Sequence, residues 1–352
     1  MSMKLMQWHG IVLKFKQNSM NTTQTINLKN RPKGKPQLTD FDFTNSTIPE
    51  LKDGEVLLKT KYVSVDPYLR GRMSDAPSYV PPFVLNEPVS SGVIAEVTAS
   101  KDADFSEGDF VSGMLKWKET QVAKTDGLMK VDSNKAPLSA YLGILGMTGL
   151  TAYLGLTEIG KPKKGETLLV SGAAGAVGSI VGQIGKILGL HVVGIAGTDE
   201  KVEMLKSKFG FDEGINYKTT ENMTEAIAKA CPNGVDVYFD NVGGEISDAA
   251  LFNINKFSRT VNCGAISVYN NTTPPKSISV QPFLVKNSSS MQGFIIGDFA
   301  DKHQEGIKQL SEWLQQEKLV YTETIQEGFE KIPQAFLDLF EGKNKGKMVV
   351  KL

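Results

Sequence analysis

The segment Leu168-Leu169-Val170-Ser171-Gly172-Ala173-Ala174-Gly175-Ala176-Val177-Gly178 decides the fold of this chain. It is an apolar run, typical of a buried strand, that ends in a glycine-rich turn, and a helical pattern follows over 176–188. The turn resembles G-x-G-x-x-G with Ala173 in the first glycine position, and a second strand-like run, His191–Ala196, lies within the length of a βαβ unit. The N–H groups and the dipole at the start of the helix would bind a pyrophosphate. The alternative is a glycine-rich turn that only packs a helix tightly.

Composition limits the classes of protein to consider. A chain of 352 residues is long enough for two domains. Its 39 basic and 39 acidic residues balance, so we expect no nucleic-acid partner, and no apolar run approaches the length of a membrane span. The two cysteines, Cys231 and Cys263, and the three histidines form no ligand cluster, so no metal site is expected. This use of cysteine favours a reducing compartment, the cytoplasm.

The pattern of residues divides the chain into three parts. Residues 1–19 contain no acidic residue and no arginine, which favours an unstructured extension over a transit peptide. Residues 20–144 have short, alternating, strand-like runs separated by turn signals, typical of a small twisted β-barrel. We expect the strand-like end of the chain, 347–352, to rejoin this first domain, which then comprises 20–144 and 323–352.

Strand and helix patterns alternate through the intervening part, 145–322. Such alternation predicts a parallel, doubly wound sheet. The predicted strands are 167–171, His191–Ala196, 235–239, 259–264 and 290–296, and the predicted helices are 176–188, 199–209, 221–231, 245–255 and 301–318. We therefore predict an α/β protein.

The tip of the second predicted strand, Ala196-Gly197-Thr198, bears on the choice of dinucleotide. NAD enzymes usually place an acidic residue there, which hydrogen-bonds the ribose 2′-OH. Asp199 and Glu200 come one residue later, in a first helical turn where acidic residues are favoured anyway. Lys201 could reach a 2′-phosphate, although it could equally be a solvated surface lysine. The position favours NADP mildly.

Four motifs together resemble one family. They are Val65-Asp66-Pro67-Tyr68-Leu69-Arg70, the turn 172–178, Phe239-Asp240-Asn241-Val242-Gly243-Gly244-Glu245, and Cys263-Gly264-Ala265-Ile266-Ser267-Val268-Tyr269-Asn270. In this combination the chain, from about residue 20 to 352, is similar to the zinc-independent branch of the medium-chain dehydrogenase/reductases. Within that branch it most resembles the NADP-dependent alkenal, or one double-bond, reductases, which include the prostaglandin reductases. Zinc-using relatives carry a ligating cysteine near 63–68 and a four-cysteine lobe, and this chain has neither.

The resemblance implies a Rossmann doubly wound parallel sheet at 145–322, a GroES-like β-barrel domain that holds most substrate contacts, and NADPH in the cleft between them. It also implies a homodimer through pairing of edge strands. The family's cofactor positions match individual residues of this chain: Gly175, Ala176, Val177 and Gly178 on the pyrophosphate, Lys201 and Tyr217 on the 2′-phosphate side, Asn241 after the strand 235–239, Cys263, Gly264, Ala265, Ile266, Ser267, Val268 and Tyr269 on the nicotinamide side, Phe294, Ile295 and Ile296 at the next strand end, and Asn344 before the last strand.

The family activity is reduction of the C=C bond of α,β-unsaturated aldehydes and ketones. Hydride reaches the β-carbon, charge develops on the carbonyl oxygen as an enolate, and a donor aimed at that oxygen lowers the barrier. We take Tyr269 as the first candidate donor and Tyr68 as the second, since a phenol stays protonated at neutral pH. For either tyrosine the alternative is a packing role with a solvated hydroxyl. Cys263 fits a buried small residue better than a nucleophile.

Two other functions stay open. A quinone reductase of the same superfamily would act on a related unsaturated ketone, although the Asp-Pro-Tyr and Ala-Ile-Ser-x-Tyr motifs favour the enone reductase. A non-catalytic NADPH-binding protein, similar to the crystallins recruited from this superfamily, is the alternative of another class. The substrate is expected to be a small molecule, and the loop 270–276 is where specificity for short alkenals or bulky lipid ketones would be set.

Overall fold

A computed structural model describes residues 21–352 of the chain. The predicted extension 1–19 lies outside the described residues. The strands are β1 (Thr22–Leu28), β2 (Phe41–Thr47), β3 (Glu55–Ser64), β4 (Ser90–Ser100), β5 (Phe110–Lys116), β6 (Thr120–Lys124), β7 (Met129–Val131), β8 (Thr167–Val170), β9 (His191–Ala196), β10 (Glu213–Asn216), β11 (Val235–Asp240), β12 (Ile254–Asn262), β13 (Ser290–Gly293), β14 (Glu323–Glu327) and β15 (Lys347–Lys351).

Most helices lie in the second half of the chain. They are α1 (Leu69–Arg72), α2 (Met147–Leu154), α3 (Gly178–Ile187), α4 (Asp199–Ser207), α5 (Met223–Ala230), α6 (Gly244–Leu251), α7 (Gln281–Asn287), α8 (His303–Gln315) and α9 (Ile332–Leu339). A π-helical segment, Gly155–Gly160, continues α2. Side chains satisfy the first free N–H groups of two helices: the Thr198 hydroxyl accepts from Lys201 N at α4, and Asn222 Oδ1 accepts from Glu225 N at α5.

The barrel sheet, which is antiparallel except for the parallel pair β14-β15, has the order β14-β15-β3-β4-β5-β7, with β6 also paired to β3 and the hairpin β1-β2 beside it. The last strand, β15, pairs antiparallel with β3 (Val349 opposite Ser64), so the end of the chain lies in the barrel sheet. One apolar core fills the barrel, and its largest fully buried side chain is Trp117, whose indole N–H donates to Ser91 Oγ at 2.8 Å.

The parallel sheet has the order β10-β9-β8-β11-β12-β13. Counted along the chain from β8, this is the 3-2-1-4-5-6 order of the Rossmann fold. Both faces of the sheet are buried, and β8 has every residue buried. The predicted fold class, a Rossmann sheet with a GroES-like barrel, is therefore confirmed. We keep the limits 145–322 for the Rossmann domain as a proposal.

The close packing of α3 on the sheet depends on a glycine. A Cβ at Gly185 would lie 2.6 Å from Leu168 Cδ2 in β8 and 3.0 Å from Val192 Cγ2 in β9, so a larger residue would push the helix away from the sheet. The helix therefore approaches the sheet closely, and its N-terminus lies directly over the turn that follows β8. Because the strand order reverses between β8 and β11, a crevice opens at their carboxyl ends, where ligands of such sheets bind.

Candidate functional site

A cleft of about 1510 Å³ runs along this crevice and reaches the barrel. Its Rossmann wall consists of the turn after β8, the tip of β9, the residues after β11 and the loop after β12. Its barrel wall includes Tyr68, next to α1, and the segment before β15 closes it. Both domains therefore contribute residues to one continuous site.

The glycine turn forms the floor of the cleft. Asn241 Nδ2 donates to the carbonyl of Ser171 at 2.8 Å, and the backbone N–H of Asn241 donates to Ser171 Oγ at 2.9 Å, so the ends of β8 and β11 are tied together. A Cβ at Gly178 would lie 2.5 Å from the carbonyl oxygen of Gly172 and 2.8 Å from Ala173 Cα. Gly178 therefore lets the helix begin directly against the turn, the geometry that a bound pyrophosphate requires.

Gly178→Ala tests this packing. We expect the extra methyl group to destabilise the protein by about 1–3 kcal/mol, because the atoms it meets belong to the backbone and cannot rotate away. NADPH affinity should fall about tenfold, since the turn is displaced. Denaturant unfolding and fluorescence titration measure the two effects. Gly71→Ala is the matched control, because a Cβ there meets nothing within 4 Å. Unchanged stability and affinity in Gly178→Ala would contradict the assignment.

Lysines gather at the far end of the cleft, beyond β9. Lys201 Nζ donates to the carbonyl of Gly342 at 2.6 Å, and Lys201, Tyr217 and Lys218 all line the cleft. The pKa of Lys201 is lowered, first by burial and then by repulsion from Lys218 and Lys345. A phosphate dianion bound here would relieve that repulsion. The residues present therefore fit the 2′-phosphate of NADPH.

Tyr269 lies at the opposite end, on the loop that follows β12. Its hydroxyl oxygen accepts a hydrogen bond from the backbone N–H of Ala265 at 3.1 Å, which leaves the hydroxyl proton free to be donated. Burial raises the pKa of Tyr269, and the Ala265 N–H opposes that rise. The phenol therefore stays neutral at physiological pH, as a donor must.

Tyr68 lies on the barrel wall of the same cleft. Burial, and then the nearby Asp66 carboxylate, raise the pKa of Tyr68 far above the ordinary value for a phenol. Asp66 is itself held in a buried ion pair with Lys347 at 3.1 Å, and Lys347 Nζ also donates to the carbonyls of Val65 and Met348. The loop that carries Tyr68 is thus fastened to the last strand.

The structure brings nearly all of the predicted site residues together. Both candidate tyrosines and the predicted cofactor residues line the cleft, with one exception. Ala265 instead lines a neighbouring cavity of about 450 Å³ on the other side of the loop, among α6, β12 and β13. The role of each residue stays a prediction.

The residues that line the cleft without having been predicted from the sequence include the polar side chains of Arg72, Tyr79 and Lys218. Tyr79 lies in an irregular segment before β4, and its pKa is raised, mainly because the cleft wall desolvates it. No periodicity marks that segment, so the sequence offered no signal for Tyr79. Lys218 directly follows Tyr217, a residue predicted to lie on the 2′-phosphate side of the cofactor. The positive charge of Lys218 at that position was a signal from which its place in the cleft could have been predicted.

Two family models match the chain. A model described as the N-terminal domain of oxidoreductase matches residues 24–131, and a model described as zinc-binding dehydrogenase matches residues 176–316. In residues 21–352 we find no group of three or more His, Cys, Asp or Glu side chains arranged to hold a metal ion. The same residues include no helix with the length and apolar character needed to cross a membrane.

The chain is similar along almost its whole length to proteins named as NADP-dependent oxidoreductases and reductases. It is 57% identical to the putative NADP-dependent oxidoreductase YfmJ of Bacillus subtilis, covering 94% of this chain and 97% of that protein. It is 40% identical to the NADPH-dependent curcumin reductase of Escherichia coli, covering 92% and 95%, and 41% identical to the NADP-dependent 2-alkenal reductase of Nicotiana tabacum, covering 94% and 97%.

A solved structure has the same fold. CurA from Vibrio vulnificus in complex with NADPH superposes with a TM-score of 0.88 at 42% sequence identity, covering 93% of this chain and 98% of that one.

Proposed function

We propose that this chain reduces the C=C bond of α,β-unsaturated aldehydes and ketones. The premise is its family: the chain belongs to the NADP-dependent alkenal and prostaglandin reductases of the medium-chain dehydrogenase/reductases. It is an NADP-dependent oxidoreductase. The observation that carries the proposal is that Tyr68 and Tyr269, from two different domains, line one cleft with the glycine turn. Relatives whose names state reduction of 2-alkenals, prostaglandins and curcumin support this substrate class.

Different residues along the cleft are proposed to bind the cofactor and to contact the substrate. The turn 175–178 and the lysine end would hold NADPH, which supplies the hydride when bound. The Tyr269 hydroxyl is proposed to donate to the carbonyl oxygen of the substrate, where negative charge grows as the β-carbon accepts hydride. Tyr68 would close the cleft from the barrel wall and serve as the second donor. Solvent or a nearby hydroxyl completes the reaction by protonating the α-carbon.

Burial strengthens this proposed catalysis. A hydrogen bond to a developing oxyanion is stronger in a site shielded from water than on a surface. The raised pKa values of Tyr68 and Tyr269 indicate that both phenols are desolvated. A phenol donor needs no change of protonation during the hydride step, so it stabilises the enolate without becoming a base.

The test is to follow NADPH oxidation with a 2-alkenal, then a 1,4-quinone, then a 15-ketoprostaglandin. NADPH deuterated at the transferred position should place deuterium on the β-carbon of the product, which distinguishes reduction of the double bond from reduction of the carbonyl. We expect turnover with the 2-alkenal or the prostaglandin. Turnover with the quinone alone would establish the quinone reductase instead. NADPH binding without turnover of any of the three would indicate a binding protein.

We also propose that the protein forms a homodimer through the edge of the parallel sheet. In the described part of the chain β13 is one of the two outer strands of this sheet, and large apolar side chains near it are exposed, among them Phe252, Phe257 and Val285. A second copy would cover them and extend the sheet. Sedimentation velocity tests this, and a monomer at micromolar concentration would refute it.

A cytoplasmic location is a further proposal. Both cysteines, Cys231 and Cys263, are free thiols in the structure, as is usual for proteins of reducing compartments. Fractionation of the source cells with an antibody against the protein tests it.

A further inference from the structure

The two candidate tyrosines have sequence neighbours that contact each other between the two domains. Arg70 comes two residues after Tyr68, and Asn270 directly follows Tyr269. Arg70 Nε donates to Asn270 Oδ1 at 3.1 Å, a side-chain hydrogen bond between residues 200 positions apart. It joins helix α1 of the barrel to the loop after β12 of the Rossmann domain.

Arg70 is fixed firmly on the barrel side. It is only 7% exposed, and its Nη2 donates to the carbonyls of Pro32 at 3.3 Å and Gly34 at 3.0 Å. Within residues 21–352 no carboxylate lies within ion-pair distance of this guanidinium. Burial lowers the pKa of Arg70, which shows that the site holds the cation at a cost. A buried guanidinium without a carboxylate partner is stabilised by its neutral hydrogen-bond acceptors. Among the acceptors of Arg70, Asn270 is the one that lies in the Rossmann domain.

Asn270 is equally fixed on the Rossmann side. The loop that carries it is held by its own hydrogen bonds, from Ala265 N to the Tyr269 hydroxyl at 3.1 Å, and from Ser267 N to the Val242 carbonyl at 3.1 Å. The next residue, Asn271, donates its backbone N–H to the Val268 carbonyl at 3.0 Å. Both ends of the Arg70–Asn270 bond are therefore held by several further contacts.

We propose that Arg70 and Asn270 are positioning residues that set the separation of Tyr68 and Tyr269. The inference rests on the proposed function, because it assigns the pair to the alignment of the same enone between the two phenols. Tyr68 lies two residues before Arg70, and Tyr269 lies directly before Asn270. A displacement of the bonded pair would therefore also displace the two phenols. Alignment of this kind acts on the hydride step, since a small displacement of a reacting group costs much of the rate.

Asn270→Leu and Asn270→Asp test the proposal as a pair. Leucine keeps the volume but removes the acceptor, and we expect kcat with a 2-alkenal to fall about tenfold while the Kd for NADPH changes less than twofold. Aspartate keeps an oxygen acceptor for Arg70 and should recover at least about a third of the wild-type kcat. A leucine variant with kcat within twofold of wild type, or an aspartate variant as slow as the leucine one, would overturn the proposal.

Two further measurements separate this proposal from general instability and from the proposed function. Asn222→Leu removes the side-chain cap of α5, far from the cleft, and should leave kcat unchanged although it destabilises the protein. Hydrogen–deuterium exchange of residues 263–272 needs no turnover: it should increase in Asn270→Leu and not in Asn270→Asp. If the wild type reduces none of the substrates, the proposed function fails, and equal exchange in the two variants would separately refute the positioning role.

Discussion

Tyr269→Phe is expected to lower kcat for a 2-alkenal by about ten- to a thousandfold, where the upper part of this range is the loss found when a single donor to an oxyanion is removed. The reason is that the phenol proton is the donor proposed to stabilise the enolate, and phenylalanine keeps the ring but not the proton. KM should change little, because the neutral carbonyl of the bound substrate needs this donor less than the enolate does. Steady-state kinetics with saturating NADPH measures the effect.

The structure adds a second effect of Tyr269→Phe that the experiment must separate. The Tyr269 oxygen also accepts from the Ala265 N–H at 3.1 Å, so the variant loses that hydrogen bond, worth about 1 kcal/mol. Thermal unfolding measures this loss independently of kcat, and Tyr68→Phe, at the second candidate donor, measures how far kcat depends on the other phenol of the same cleft. A kcat within twofold of the wild type would assign the donor to Tyr68 or Tyr79.

The pH profile gives an independent check on the Tyr269 donor. The donor is active while protonated, and burial raises its pKa above the ordinary 10.0 of a phenol. Activity that depends on it is therefore fully present below pH 10 and is lost only as the pH rises through the higher value in the folded protein. We expect the kcat of the wild type to stay constant up to about pH 10. The kcat of Tyr269→Phe should show no further loss above about pH 10, because the variant has no phenol proton at this position to lose. A wild-type loss centred well below pH 10 would point to another group.

Lys201→Ala is expected to weaken NADPH binding by about ten- to a hundredfold while barely changing NADH binding. Lys201 lines the cleft, where burial first, and then repulsion from Lys218 and Lys345, lower its pKa, and a bound anion would relieve that repulsion. Only NADPH carries a 2′-phosphate, so only NADPH loses the ion pair. Fluorescence titration of both nucleotides gives the two dissociation constants.

The ratio of the two constants is the decisive quantity for Lys201. Lys201 also donates to the Gly342 carbonyl at 2.6 Å, and loss of that bond would loosen the C-terminal segment for either nucleotide. An equal loss for NADPH and NADH would remove Lys201 from the phosphate site. Lys206→Ala is the matched control: it lies on the same helix, and its nearest carboxylate is Glu213 at 3.6 Å.

The sequence predicted the order of the main strands and helices because their patterns are local. Its failures have physical reasons. Strand β10 (Glu213–Asn216) was missed, since four residues at a sheet edge show no alternation. Strand β12 begins at Ile254, five residues before the predicted start, because a register shift in its pairing and the left-handed backbone of Phe257 interrupt the pattern. Strand β13 ends at Gly293 rather than at residue 296, where the chain turns into a short helix.

The sequence predicted the site residues that come directly after the parallel strands, and it predicted only some of the others. Turn, strand-tip and loop residues fall into the cleft because parallel strands align their carboxyl ends. The pairs Arg70–Asn270 and Asp66–Lys347 join residues hundreds of positions apart, and a single sequence holds no signal for such contacts. Ala265 lines the neighbouring cavity and not the cleft, and its role at the cofactor stays a prediction.

The position of β15 in the barrel has a consequence for how the protein is made. The parallel sheet has all its described strands once the ribosome has added residue 293, whereas the end of β3, which pairs with β4 on one side, lacks its second neighbour until residues 347–351 have been added. Domains generally fold as units during synthesis, the N-terminal one first. Here the barrel sheet of the N-terminal domain is completed only when β15 has been made, so a nascent chain exposes an open strand edge until then.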